Sequence, residues 1–416
     1  MIRGDLASYI QDAHEKYGAA VRVAPEEISF ISGETAWQDI YGFRTGKNKT
    51  PPYLKDGKWY TKLPNTAPSI LIADEADHSR MRRNLSHAFS DKAIKEQEPL
   101  VQGLVDLLVN RLHEQVEENN PTVDIMRWYN YTTFDIITDL TFGEPLYCLR
   151  DKDYHPWVVM IAASMKINTI KARTKQFAAF VYIDMLMGLF IDKKALENKR
   201  MEFYGLISAK VSKRIAEGTQ RPDFISHILR NEEKAELALT KPELDSNALI
   251  LMVGGSETTA TVLSGFTYLL LRHPLVYEKV VGEIRGRFTK LADITFEKVS
   301  QLEYLVATLQ ESMRVYPAVP TGFPRAVPAG GDTVSGVYVS EGVSVFILSQ
   351  DEIRLADSDQ TSVYMSQHAA NHSKRNWTDP DTFVPERWLG DAKYKDDNRA
   401  VVHPFSFGPR NCLGKK

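Results

Sequence analysis

The sequence predicts a mainly α-helical protein with a smaller β region, for three reasons. Apolar residues recur every three to four positions between 100 and 116, and a long apolar run extends from 242 to 272; both features are typical of helices. Runs within 21–31 alternate apolar and polar side chains, as strands do. Prolines and glycines favour extended segments within 320–365. We therefore expect a single domain, residues 1–416, in which the N-terminal strands and the 320–365 segments form the β region.

Composition excludes several classes of protein. Of 416 residues, 43% are hydrophobic, which is ample for a core, and the net charge of −3 argues against a nucleic-acid partner. The two cysteines, Cys148 and Cys412, do not make a disulfide framework and fit a reducing compartment. The first residues contain no apolar run long enough for a signal peptide or a membrane span.

The stretch Phe405-Ser-Phe-Gly-Pro-Arg-Asn-Cys-Leu-Gly414 surrounds one of the cysteines. A cysteine thiolate can hold a haem iron and push electron density onto it, which favours O–O cleavage. Such a sulfur needs a tight turn whose backbone N–H groups tune its charge. Gly408 and Gly414 permit that turn and a close approach to a flat macrocycle. Arg410 can pair with a haem propionate, and Phe405 can shield the sulfur from water. The alternative is a buried structural cysteine in a glycine-rich turn.

Two glycines interrupt the predicted 242–272 helix, in the stretch Gly254-Gly-Ser-Glu-Thr-Thr259. Each glycine costs about 1 kcal/mol against alanine in a helix, so we expect something to approach the backbone there. Cleaving O–O requires protons at the distal oxygen, and Glu257 beside Thr258 offers an acid and a hydroxyl for such a relay. The alternative is a glycine kink in which threonine hydroxyls bond back to helix carbonyls.

Two further sets of charged residues stand at helical spacing. His78 and Arg82 are four apart and therefore share a helix face; a solvated basic helix would show the same pattern. Glu311 and Arg314 are three apart, which alone is weak because most such pairs are surface contacts. Arg387, in Pro-Glu-Arg-Trp, offers a second guanidinium for the same carboxylate.

These motifs resemble those of the cytochrome P450 superfamily of haem-thiolate monooxygenases. The cysteine stretch is similar to the family's at every specified position: Phe405, Gly408, Arg410, Cys412 and Gly414. The helix stretch resembles the family's oxygen-activation motif at five positions: Gly254, Gly255, Glu257, Thr258 and Thr259. The resemblance implies the cytochrome P450 fold and haem b, iron protoporphyrin IX, as cofactor.

The resemblance also implies roles for individual residues. Cys412 would ligate the iron, Glu257 would deliver protons, and Thr258 would hydrogen-bond dioxygen through a local distortion of the helix. Four basic residues would bind the haem propionates: His78, Arg82, Arg325 and Arg410. Three residues would form a buried structural triad that fixes the cysteine loop: Glu311, Arg314 and Arg387.

The implied reaction is the hydroxylation or epoxidation of a small hydrophobic secondary metabolite by O2. Electrons would come from NADPH–cytochrome P450 reductase, with or without cytochrome b5. We expect the reductase to dock near four basic residues: Arg80, Arg83, Lys415 and Lys416. The residues of these motifs resemble the filamentous-fungal branch that is similar to trichothecene C-15 hydroxylases. That resemblance implies a role in secondary metabolism.

Substrate selectivity would lie in the 53–77 loop and in the apolar stretch 177–191. The latter is too short to span a bilayer. It is either a core helix or part of the helix pair that, in the family, roofs the pocket and dips into a membrane surface. The family's N-terminal anchor is missing, so the resemblance implies the endoplasmic reticulum membrane while the sequence as written predicts the cytoplasm.

Two other functions stay open. A haem-thiolate isomerase or dehydratase would need no reductase, but such enzymes often lack the acid–threonine pair that Glu257 and Thr258 form. A non-catalytic, truncated product that holds no haem is favoured by the end of the chain. The family continues after the cysteine with a helix under the haem, whereas this sequence stops at Lys416.

Residues 343–360 depart from the family, which would run from Gly342 almost directly into Thr361. Counting 343 through 360 gives 18 residues, or 54 nucleotides in frame. The segment begins with Val-Ser, which GTAAGT or GTGAGT can encode, and ends with Gln, which CAG can encode, as introns begin and end. Ala356-Asp357 can be written GCTGAC, which resembles a branch point. We hypothesise an insertion translated from a retained intron; the alternative is a genuine surface loop.

Overall fold

The computed structural model of the protein describes most of the chain. The described residues are 4–44, 51–57, 59–60, 65–118, 122–164, 193–218, 220–230, 236–341, 343–349, 352–358 and 360–415. They divide into two compact units: Met1–Trp59 with Val262–Lys415, and Tyr60–Thr261 with Lys416. Helices dominate and strands are short, which confirms the predicted fold class. The single-domain organisation stays a prediction.

The elements are as follows in chain order. The helices are α1 (Leu6–Tyr17), α2 (Gly33–Tyr41), α3 (Glu75–Ser86), α4 (Asp91–Glu117), α5 (Ile125–Phe142), α6 (Cys148–Asp151), α7 (Lys193–Ala216), α8 (Phe224–Leu229), α9 (Lys241–Arg272), α10 (Pro274–Arg287), α11 (Phe296–Val299), α12 (Glu303–Val315) and α13 (Gln367–Asn371). Residues 156–164 are also helical. The strands are β1 (Ala20–Ala24), β2 (Glu27–Phe30), β3 (Leu54–Lys55), β4 (Arg325–Ala326), β5 (Asp332–Val334), β6 (Val337–Val339), β7 (Val343–Ser349), β8 (Glu352–Ser358) and β9 (Ser362–Met365).

The first unit is organised around a five-stranded sheet of order β1-β2-β9-β4-β3. Strand β9 pairs in parallel with β2 and antiparallel with β4, and all four of its residues are buried. Val363 and Met365 of β9 pack in one core with Trp37 and Ile40 of α2. Burial on both sides explains the apolar character of β9. The N-terminal strands thus join segments of the 320–365 region, as predicted.

Strands β7 and β8, within the predicted 343–360 insertion, pair with each other in a separate two-stranded sheet. The register extends from Val343↔Ser358 to Ser349↔Glu352. At the base of this hairpin the Thr361 N–H donates to the Glu341 carbonyl at 2.5 Å. The chain therefore leaves and re-enters the unit at nearly the same point, directly before β9.

The second unit is helical, and local caps set its helix ends. Asp124 accepts hydrogen bonds from two N–H groups at the start of α5, and Gly143 ends that helix at φ +76°. Helix α9 begins with a capping box: the Glu243 carboxylate accepts from the Thr240 N–H at 2.8 Å, with Pro242 between them. This cap fixes where the helix with the paired glycines begins.

Candidate functional site

Cys412 lies in a tight loop of the first unit, between 3₁₀ turns at Gly408–Arg410 and Leu413–Lys415. Its N–H donates to the Phe405 carbonyl at 2.8 Å, which closes the loop. Its thiol is exposed, whereas Cys148 is buried and its burial raises the pKa of that thiol to about 12. Because only a thiolate ligates iron well, the chemistry favours Cys412 over Cys148. The alternative of a buried structural cysteine does not describe Cys412.

Gly408 joins the cysteine loop to helix α2. Its φ is +73°, and a Cβ there would lie 2.8 Å from the carbonyl carbon of Tyr41 and closer still to its oxygen. The Tyr41 hydroxyl donates to the Phe323 carbonyl at 3.0 Å and accepts from the Met365 N–H at 3.3 Å. Burial raises the pKa of Tyr41 to about 12, so it remains a neutral donor. Tyr41 therefore links the cysteine loop to the sheet, a role that no sequence motif indicated.

The segment before the cysteine loop is held by aromatic rings that pack edge to face. Trp37 donates its indole N–H to the Val401 carbonyl at 3.0 Å. The His403 ring lies 5.0 Å from Trp37 and 5.0 Å from Phe407, both centroid to centroid. Burial lowers the pKa of His403, so it packs as a neutral ring. His403, which belongs to no sequence motif, thus supports the loop by packing.

Basic side chains gather beside this loop within the first unit. Arg325 is only 4% exposed, and its guanidinium lies 5.4 Å from the Tyr41 ring centroid. Lys55 of β3 stands opposite Arg325 of β4 in the antiparallel register. Burial and the charges of Arg325 and Arg410 hold the pKa of Lys55 well below its usual range. The structure therefore brings together Arg325 and Arg410, which the sequence indicated, and Lys55, which it did not.

The structure also brings Glu311, Arg314 and Arg387 together, all with fully buried side chains. The Glu311 carboxylate accepts from Arg314 Nε at 2.9 Å and Nη2 at 2.8 Å, and from Arg387 Nε at 3.0 Å. It also accepts from the Trp388 indole and the Val384 N–H. A buried charge is tolerated when it is paired and hydrogen-bonded in this way. None of these groups is free to react, so the arrangement suits a structural role.

In the second unit, His78 and Arg82 lie on one face of α3. His78 is 3% exposed and Arg82 is partly buried. Between them, the Arg80 side chain is 22% exposed, and its role as a docking residue stays a prediction. Its guanidinium forms an ion pair with Glu243 of α9 at 2.5 Å and donates to the Ala238 carbonyl at 2.7 Å. Arg83 is exposed.

Helix α9 continues without a break through the glycine pair. The Thr258 hydroxyl donates to the Gly254 carbonyl at 2.7 Å, so the back-bonded alternative describes this conformation. A Cβ on Gly255 would lie 2.5 Å from Ile137 Cδ1, whereas no described atom lies within 4 Å of one on Gly254. Glu257 is partly buried, and burial raises the pKa of its carboxyl. Packing against α5 therefore accounts for the glycine at 255, whereas no contact among the described residues accounts for the glycine at 254.

Parts of the predicted site lie outside the described residues. These include the apolar stretch 177–191, part of the 53–77 loop and Lys416. Lys415 is described and exposed. Within the described ranges one helix, α9, is long and apolar enough to cross a membrane by length and composition alone. Core helices of other proteins meet the same criterion, so we assign no membrane span to it.

Comparison with known proteins agrees with this geometry. The sequence profile of the cytochrome P450 family matches residues 1–351 and 359–416. The chain is 43% identical over 416 residues to the cytochrome P450 monooxygenase lcsI of Purpureocillium lilacinum, covering 100% of this chain and 76% of that protein. It is 44% identical over 420 residues to traB of Penicillium crustosum and 41% identical over 416 residues to efuB of Hormonema carpetanum. These cover 100% and 99% of this chain, and 78% and 77% of the two proteins.

The exposed thiol in its closed loop and the adjacent cations define a haem-thiolate class of protein. The chain belongs to the cytochrome P450 family. The cofactor of that family is haem b, and the residues present fit it: an accessible thiol for the iron, and grouped cations for two propionates. The predictions of a fungal-type monooxygenase and of its cofactor are confirmed. The comparisons do not single out trichothecene C-15 hydroxylases.

Proposed function

We propose that this protein inserts one oxygen atom of O2 into a small hydrophobic secondary metabolite, as a hydroxyl or an epoxide. The observation that carries the proposal is the exposed Cys412 thiol, held in a loop that its N–H closes onto the Phe405 carbonyl at 2.8 Å. Bound haem supplies the activation of dioxygen. The named relatives are fungal monooxygenases, which supports a role in secondary metabolism.

The chain's own residues would hold the cofactor in three ways. Cys412 is the proposed iron ligand, and Gly414 leaves room beside it, since a Cβ at 414 would come no closer than 3.8 Å to the sulfur. Phe405 would shield the sulfur from water once the cofactor is bound. Four cations would bind the propionates: His78, Arg82, Arg325 and Arg410. The triad of Glu311, Arg314 and Arg387 keeps the segment before the cysteine loop in place.

Glu257 and Thr258 are the proposed proton-relay residues of α9. The raised pKa of Glu257 keeps it closer to the protonated form, which suits a residue that gives up a proton. The Thr258 hydroxyl donates to the Gly254 carbonyl at 2.7 Å. To act on dioxygen it must rotate away from that carbonyl, and no described atom lies within 4 Å of a Cβ built at Gly254.

Members of this family generally take electrons from a redox partner. For this chain we propose NADPH–cytochrome P450 reductase, with or without cytochrome b5, guided by exposed cations such as Arg83 and Lys415. Arg80, which also forms an ion pair with Glu243 and is 22% exposed, stays a further candidate for this docking surface. Salt would then slow reduction by screening these charges. A membrane location is proposed from the family, with peripheral contact near 177–191.

The carbon monoxide spectrum of the dithionite-reduced protein tests the proposal. We expect the red-shifted Soret band of a thiolate ligand from the wild-type chain, and its loss in Cys412→Ser. Cys148→Ala is the matched control and keeps the band, since Cys148 is buried among α5 residues. Absence of haem in the wild-type chain would instead support a non-catalytic product. Turnover without any reductase would favour an isomerase or dehydratase.

We also propose that residues 343–360 are an insertion translated from a retained intron. The family profile leaves out residues 352–358. In the described residues β7 and β8 pair only with each other. Glu341 and Thr361 are hydrogen-bonded at the hairpin's base. If residues 343–360 were removed, one glycine would remain between Glu341 and Thr361. It could connect them, because two Cα–Cα steps of about 3.8 Å each span the distance between hydrogen-bonded neighbours.

Deleting residues 343–360 tests the insertion. We expect a folded protein at least as stable as the wild type, measured by urea unfolding, with haem content equal or higher. A chain that no longer folds would show that the hairpin is a genuine part of the protein. Sequencing of transcripts tests the intron: if every transcript keeps the 54 nucleotides that correspond to 343–360, the intron hypothesis is wrong.

A further inference from the structure

The short helix α13 of the first unit presents a pair of histidines at its surface. From 367 through 371 every residue but His368 is buried, and His372, which caps the helix, is again partly exposed. The two histidines are four apart and therefore share a helix face, and their ring centroids lie 4.3 Å apart. We propose that His368 and His372 together bind a divalent transition-metal ion such as Zn²⁺. This site involves no residue of the proposed haem site.

One hydrogen bond fixes the form of the His372 ring. Its Nδ1 lies 2.9 Å from the His368 carbonyl oxygen. A carbonyl can only accept, so Nδ1 carries the proton and Nε2 of the neutral ring keeps its lone pair. Metal-binding histidines are commonly held in this way, with one ring nitrogen bonded to a carbonyl and the other on the metal. The His368 ring makes no hydrogen bond within the described part of the chain, so its nitrogens are available to a metal.

Both rings are held in the neutral form, which is the form that ligates metals. Burial and the neighbouring His372 lower the pKa of His368 to about 4, against the charge of Asp381. Burial is also the largest cause that lowers the pKa of His372. Arg314 lowers that pKa as well, while Asp381 and Glu311 oppose the change. At physiological pH no proton therefore has to leave the pair before a metal binds.

The charges around the pair favour a cation. Arg314 is positive, but it is bound to Glu311 in the buried triad, where Nη2 and Oε1 are 2.8 Å apart. Asp381 is exposed, and its negative charge acts on both rings without being balanced by Arg314. Within the described residues no third His, Cys, Asp or Glu side chain joins the pair as a preformed ligand. Water would therefore complete the coordination of the metal, and Asp381 would act at longer range.

The anchoring of α13 keeps the two rings in place. The His368 N–H donates to the Pro320 carbonyl at 2.9 Å, and the Asn371 side-chain amide donates to the Arg314 carbonyl at 2.9 Å. Zinc binds imidazole nitrogens at about 2.0–2.1 Å, so a tetrahedral zinc holds two of them about 3.3 Å apart. Rings whose centroids are 4.3 Å apart can reach that spacing by side-chain rotation alone. The helix therefore does not have to move when a metal binds.

Calorimetric titration with Zn²⁺ tests the site, in full-length chains that all carry Cys412→Ser so that the exposed thiol cannot bind zinc. Loss of an outer-shell partner alone typically weakens metal binding about 10–100-fold. We expect His368→Gln, which removes one of two direct ligands, to weaken it by on the order of 100-fold. His113→Gln removes an exposed histidine of α4 and should leave the affinity unchanged. Equal affinity with and without His368, or no zinc binding at all, would overturn the proposal.

A second arm measures thermal unfolding of the chain with Cys412 intact. A ligand that binds only the folded state stabilises it in proportion to the logarithm of its concentration, so Zn²⁺ should raise the unfolding midpoint and EDTA should reverse the rise. His368→Gln should remove this effect, and it breaks no hydrogen bond of the His372 ring, whose acceptor is a backbone carbonyl. Cys412→Ser should retain the effect. A zinc effect that survives His368→Gln but is lost with Cys412→Ser would assign the metal to the thiol and overturn the proposal.

Discussion

The α-carbon of Gly408 lies against the backbone carbonyl of Tyr41, where a Cβ would be 2.8 Å from the carbonyl carbon. The residue also has φ +73°, which costs a residue with a Cβ about 1–2 kcal/mol. We expect Gly408→Ala to destabilise the first unit by at least that amount and to lower haem occupancy, because the loop must move off α2. Urea unfolding and the Soret absorbance measure the two effects.

Gly390→Ala is the matched control for that substitution. Gly390 has a similar φ of +85°, but no described atom lies within 4 Å of a Cβ there. It should cost only the conformational strain and leave haem occupancy unchanged. If the two variants lose equal stability and equal haem, close packing on Tyr41 is not what holds the cysteine loop.

Glu311 pairs with two fully buried guanidiniums, those of Arg314 and Arg387, and buried Asp397 also pairs with Arg387. Removing one partner of a buried ion pair leaves an uncompensated charge and typically costs about 3–5 kcal/mol. We therefore expect Glu311→Gln to unfold at much lower urea concentration than the wild type. Glu303→Gln, at an exposed position of the same helix, should change stability by less than about 0.5 kcal/mol. Similar unfolding curves for both variants would contradict a central role for the triad.

The two glycines of α9 should respond oppositely to alanine. A Cβ at Gly254 lies within 4 Å of no described atom, so Gly254→Ala should stabilise the helix by about 0.5–1 kcal/mol. Gly255→Ala places a methyl 2.5 Å from Ile137 Cδ1, and such overpacking costs about 1–3 kcal/mol. Thermal unfolding measures both. Combining Gly255→Ala with Ile137→Val should recover part of the loss; no recovery would show that another contact is responsible.

Glu257 should make stability depend on pH. Its folded-state pKa is raised by burial, so the folded protein binds this proton more tightly than the unfolded chain does. Stability therefore falls as the pH rises from the unfolded pKa, about 4.3, through the folded value. We expect Glu257→Gln to be more stable than the wild type at pH 7, with the difference vanishing toward pH 4. Urea unfolding across this range checks it; a pH-independent difference would contradict the burial argument.

The same substitution should weaken catalysis if Glu257 moves protons. General acid catalysis typically contributes about 10²–10⁴-fold, so we expect substrate turnover by Glu257→Gln to fall by on the order of 10². NADPH consumption that continues without product would show that electrons still arrive. Unchanged product formation would remove Glu257 from the relay and leave its burial as a structural feature.

Much of this protein follows from local sequence patterns. Residues close together in the chain determine three of its features. These are the helical spacing of apolar residues, the cap formed by Thr240 and Glu243, and the cysteine stretch. Such features depend on backbone hydrogen bonding and on side chains a few positions apart, which a sequence displays directly. The family, its cofactor and the helical fold class could therefore be predicted.

Other features depend on residues distant in sequence, and only the tertiary structure decided them. The sequence indicated that Arg80 is a surface cation, and the structure shows that it forms an ion pair with Glu243 of α9. Tyr41 and Lys55 carried no motif. Helix packing places Tyr41 against Gly408. Strand pairing places Lys55 opposite Arg325. Burial and charge act through space, so the partner that fixes a side chain's role is set by the fold rather than by its neighbours in the chain.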